Sequence, residues 1–176
     1  MEETDNQEVS DVEKMFENMT TDTDNKSRSV RRNLYHEENH QLCDVLDTIH
    51  DEYKKDCVVT YANVGDMVMK VPAIKQKWVS RYCRYRNGLA DVERQLKLEI
   101  EAEIKKIIKE SPVNMTKLAA QKAAMASNSN KKIVLLTERA ELLKRINDDL
   151  SEILKHVHFL NTEIGAIVDY LKMENT

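Results

Sequence analysis

Between Lys70 and Arg86 the chain carries six cations, Lys70, Lys75, Lys77, Arg81, Arg84 and Arg86, and no acid. Lys77, Arg81 and Arg84 stand at i, i+4 and i+7, which puts three cations on one face of a helix. Lys70 and Lys75 lie close to that face or just before it. A row of cations without acids is the electrostatic footprint of a protein that contacts a phosphate backbone. Trp78, Tyr82 and Tyr85 interleave with the row, and aromatics beside cations serve as stacking platforms for single-stranded bases. The same rings also fall on an apolar stripe that continues to Leu89 and Val92, so core packing competes with stacking at each of them. Tyr85 or Tyr82 is the candidate for stacking, and Trp78 is assigned to the core. The expected DNA-contact set is therefore Lys70, Lys75, Lys77, Arg81, Arg84, Tyr85 and Arg86, with Lys54, Lys55, Lys105 and Lys106 in reserve.

Other chemistry has little to work with. There is no P-loop, no glycine-rich nucleotide turn and no HExxH. His156 and His158 are two apart, so on a helix they cannot face one ligand together. Cys43, Cys57 and Cys83 are odd in number and lack CxxC spacing, which suits free thiols in a reduced compartment. Neither an enzyme nor a metal or cofactor is expected.

The elements that must position the basic row are helices. From Leu34 to Lys55, the spacing of Leu42, Val45, Leu46 and Ile49 predicts one amphipathic helix. Residues 57–61 read as extended, with Thr60 a candidate cap for a short helix through Val68. Pro72 is expected to break that helix and to open a longer one reaching Glu110. Ser111 and Pro112 look like the cap and first turn of the next helix, which stops at the polar run 127–130. Asn130 is then a plausible cap for a final helix reaching Met173.

That final helix carries an apolar heptad. Leu143, Leu150, Val157, Ile164 and Leu171 occupy position a, and Ile146, Ile153, Leu160 and Ile167 occupy position d. Leu142, Leu154, Val168 and Tyr170 widen the stripe beyond what one partner helix covers. Self-assembly through these residues is the expectation, with packing against the rest of the same chain as the alternative.

Composition agrees with long exposed helices: 33% of residues are charged and only 5% aromatic, a poor supply for a compact enzyme core. Residues 1–25 hold nine acids against Lys14 alone, the opposite of the basic row. The chain is thus read as all-α, with a disordered acidic tail at 1–33, a helical DNA-binding region at 34–130 and an oligomerisation helix at 131–176. Arg28, Arg31 and Arg32 mark a basic hinge after the tail. No stretch has the apolar length of a membrane span.

From Leu42 to the C-terminus the chain resembles the UvsY-type recombination mediator proteins of large tailed phages. The likeness lies in Leu42-Cys-Asp-Val45, Lys54-Lys55-Asp56, Val71-Pro72-Ala-Ile-Lys-Gln-Lys-Trp78 and Val92-Glu93-Arg94-Gln95, closed by Phe159-Leu160 and Tyr170-Leu171 on the terminal helix. The resemblance implies a ring-like homo-oligomer in the cytoplasm of an infected bacterium. It also implies binding of single-stranded DNA and help for a RecA-like phage recombinase in displacing the phage single-strand DNA-binding protein. Two departures stand out. A Lys-x-Arg pair associated with DNA contact in the family falls on Glu101 and Glu103 here, and the acidic tail has no family counterpart. The competing reading is a structural coiled-coil scaffold or assembly protein whose basic row only solvates a rod.

Overall fold

A computed structural model of the chain describes residues 30–111, 115–126 and 130–174. The acidic segment expected to be a disordered tail lies outside the described residues up to position 29. A 3₁₀ turn, Glu37–Asn39, leads into α1, His40–Cys57. Then come α2, Val64–Glu110, α3, Lys117–Ala126, and α4, Lys131–Glu174. Among the described residues there is no strand, as the all-α expectation required. No helix among them is long and apolar enough to cross a membrane.

The two long helices pack antiparallel. Lys132 pairs with Glu99 near one end, and the Tyr61 and Tyr170 rings meet at 5.7 Å near the other. At 1.5 Å per residue, the 47 residues of α2 span about 70 Å. α1 lies along α4 in parallel sense, with His36 and Asn39 reaching Glu138 and Tyr53 meeting His156. Asn39 is the one buried polar residue of the described core, and its amide donates to Leu135 O and to Glu138 Oε2, both at 3.2 Å. A buried amide needs such partners, and these tie the start of α1 to α4.

Several local expectations are corrected. Pro72 neither breaks nor opens a helix; it sits inside α2, whose first turns absorb the short helix expected before it. Pro72 removes a donor and crowds the Val68 carbonyl, but both residues lie on the exposed side, where water can take up that carbonyl. Thr60 does not cap the helix. Asn63 flanks it, and its side chain accepts from Thr60 N at 2.7 Å and donates to Val58 O at 3.0 Å, which closes the turn. The third helix begins at Lys117, with Thr116 Oγ1 accepting from Ala119 N at 3.3 Å; the expected Pro112 start lies outside the described residues. Arg31 and Arg32 are no hinge, since they pair with Asp47 and Asp44 of α1. Asn130 does cap α4, accepting from Lys132 N at 3.2 Å.

The heptad of α4 is covered within the chain. Leu143, Ile146, Leu150, Ile153, Val157, Leu160 and Ile164 are buried, and Ile167 and Leu171 pack at the edge of the same core. Their partners are Val64, Met67, Val71, Ile74 and Trp78 of α2, and Cys43, Leu46, Ile49 and Cys57 of α1. α1, α2 and α4 therefore share one core, and the helix that starts at residue 131 belongs to it. The width of the stripe has a plain cause: two helices, not one, lie against it. Replacing Ile153 and Leu160 with Asp would place carboxylates in this core, at a cost of several kcal/mol each. The expected result is loss of the cooperative thermal transition followed by circular dichroism. A variant that stays helical and only changes its mass in sedimentation would show the seam facing another chain.

Candidate nucleic-acid interface

The basic row lies wholly on α2, but not on one face. Residues two apart on an α-helix point roughly 160° away from each other. Lys75 and Lys77 therefore flank α2 on opposite sides, and the row is two rows. Lys70, Lys77, Arg81 and Arg84, spaced by seven, four and three, follow the flank that faces α1. Lys75 and Arg86, eleven apart, follow the other. The expectation that Lys75 adjoins the Lys77 face is corrected accordingly.

The flank toward α1 is largely committed to the fold. Glu52 receives both terminal nitrogens of Arg81, and Lys77 pairs with Asp56 and, at 3.8 Å, with Glu52. Lys77 Nζ and Arg81 Cζ also lie 5.5 and 5.3 Å from the centre of the Trp78 ring, within cation–π range. Trp78 is completely buried, with Tyr53 edge-on at 6.2 Å, so its face is closed to a nucleic-acid base. Its assignment to the core holds. Beside it lies Cys57, whose thiol burial pushes up to about 11. Lys70 pairs with Asp66 at 3.8 Å, and together with Lys55, Asp56 and Lys77 it lines a groove of about 390 Å³ in which acids and lysines alternate.

The remaining cations are differently placed. Arg84 and Arg86 are exposed and Lys75 partly so, and none has an acidic partner among the described residues. Tyr82 and Tyr85 are both half-buried and rest on the core, each with an edge open to solvent. Of the reserve cations, Lys54, Lys55 and Lys105 are exposed, and Lys106 leans on Glu103 at 3.9 Å. The two glutamates at the place of the resemblance's Lys-x-Arg pair have other uses. Glu103 accepts from the Asn130 amide at 2.9 Å and so holds the α4 cap, while Glu101 edges an apolar groove of about 410 Å³ beside α3.

Glu52 and Asp56 are the residues a scan for cations misses. Part of the signal was present: two carboxylates four apart match two cations four apart, although the predicted first helix stops at Lys55, one residue short of Asp56. No family model, characterised protein or solved structure matches the chain.

The Glu52 carboxyl is held below the usual carboxylate range chiefly by the hydrogen bonds from Arg81. Its pairing thus contributes stability above the unfolded value, and that contribution is lost as pH falls through the depressed folded one. Arg81→Ala should cost about 1 kcal/mol at neutral pH, a modest figure because Glu52 is partly solvated. The variant's loss relative to the parent should then shrink in acid. Urea midpoints at neutral pH and near pH 3 measure this, and a constant difference would show that the pair adds nothing to the fold.

Proposed function

We propose that the chain is a non-enzymatic protein that binds single-stranded DNA and acts as a recombination mediator, helping a RecA-like recombinase onto DNA covered by single-strand binding protein. The observation that carries the DNA-binding part is the presence of Arg84 and Arg86, exposed, and Lys75, partly so, none with an acidic partner among the described residues, on a helix packed along the core. A polyanion meeting them displaces counterions without first breaking an ion pair. The mediator role and its protein partners, the recombinase and the single-strand DNA-binding protein of a phage-infected cell, rest on the resemblance to the UvsY-type proteins. The ring-like oligomer belongs to the same resemblance. Because the heptad is covered by α1 and α2, association between copies would have to use another face, such as that of Phe159 and Met173, both exposed on α4.

One observation favours a structural helical protein as the second reading, namely the use of Lys77 and Arg81 as internal clamps. Salt titration separates the two. With about three to four phosphates neutralised, the log–log slope of affinity against salt for a single strand should be roughly −2 to −3. A flat dependence, or passage through single-stranded DNA cellulose at physiological salt, supports the structural reading.

A further inference from the structure

The two long edges of the α2–α4 hairpin are chemically unlike. α1 lies over one edge, where Arg81 and Lys77 pair with Glu52 and Asp56 and where His50 approaches Asp149 at 3.6 Å. The opposite edge follows from the 3.6-residue period. On α2 it carries Lys75, Val79, Tyr82 and Arg86, spaced by four, three and four. On α4 it carries Asn147, Ser151, Leu154 and His158, with the same spacing. The antiparallel register set by Lys132 with Glu99 and Tyr61 with Tyr170 brings these two series to the same stretch of the hairpin.

Neither series contains a carboxylate, although the chain has more acids than bases overall. Val79, Arg86 and His158 are exposed, and the other five are partly buried, as residues flanking a helix–helix seam should be. Asn147 adds a second observation. Both polar atoms of its side chain are shielded from solvent, and neither has a hydrogen-bond partner among the described residues. Buried amides are almost always satisfied, so a free donor and acceptor together ask for a partner from outside the chain.

We propose that this edge, on the side of the hairpin away from α1, seats a segment of single-stranded DNA. Lys75 and Arg86 take phosphates, the Tyr82 ring supports a base, and the Asn147 amide, enclosed in the free chain, rotates outward to bond a base edge. The eleven steps from Lys75 to Arg86 rise about 16 Å, the length of roughly five nucleotides at the 3.4 Å spacing of a stacked strand. The inference rests on the reading of the chain as a DNA-binding protein and selects one of two basic flanks. It moves the stacking role to Tyr82, which shares an edge with Lys75 and Arg86, and away from Tyr85.

Charge-matched variants test it. Lys75→Glu with Arg86→Glu reverses two charges on the proposed edge; Lys55→Glu with Lys70→Glu reverses two in the groove beside α1. Titrated with fluorescein-labelled oligothymidylate, the first pair should weaken binding at least tenfold more than the second. Equal losses from both pairs would mean diffuse attraction and would overturn the proposed edge while leaving DNA binding intact. An unaltered protein that binds no oligonucleotide would overturn both. Photocrosslinking of the unmutated protein to an iodouracil-substituted strand gives a readout that does not depend on how a variant folds. Attachment at Tyr82 is expected, and attachment confined to Tyr85 or to another element would contradict the assignment. Polyglutamate that competes as well as oligothymidylate would show a seat for any polyanion and would remove the base contacts.

Discussion

The whole arrangement depends on the apolar seam that α4 offers and that α2 and α1 cover. One helix supplies Leu142, Ile146, Leu150, Ile153, Val157, Leu160 and Ile164; the others supply Val64 through Trp78 and Cys43 through Cys57. Each fully buried large side chain contributes roughly 1.5–3 kcal/mol. Without that gain a chain so rich in charge has no other source of order. The polar contacts then set register instead of driving collapse. Asn130, capping α4 and bonded to Glu103, fixes the upper end of the hairpin, and Asn39 fixes α1 on α4.

The basic segment sits across this seam. Trp78, on the buried face of α2, splits the cations into those that turn toward α1 and those that turn away. Within the first group Glu52 and Asp56 take up Arg81 and Lys77 and in doing so fasten α1 over Trp78. The second group keeps its charge. A single acid-free stretch thus serves the fold on one flank and leaves the other for a ligand. Of the two acids where the resemblance has a basic pair, Glu103 holds the start of α4 through Asn130, while Glu101 lines the groove beside α3.

How far the sequence could be read varies with the kind of information. Spacing of three and four along 143–171 identifies an apolar face, because periodicity is a property of one helix. It does not say whose atoms cover the face, and here they belong to the same chain. The cap at Asn130 was legible, being local. Pro72 was misread because a rule for helix interiors gave way to an exposed position where the lost hydrogen bond costs little. The small residues Ala120 and Ala124, not Leu118 or Met125, face Ile104 in the second cluster, since a short helix can approach α2 closely only through small side chains. The split of the basic row and the role of Glu52 required the position of α1, which no reading of α2 alone supplies. Asn147 carried no signal at all, as its meaning lies in lacking a partner.

Amide hydrogen exchange of the full chain at two protein concentrations, some hundredfold apart, tests the central claim most directly. If the seam is closed within one chain, slow exchange in α4 from Ile146 to Leu160 should match that of α2 from Val71 to Trp78, and neither should change with concentration. Protection of α4 that rises with concentration while α2 exchanges fast would contradict it, placing the seam between chains.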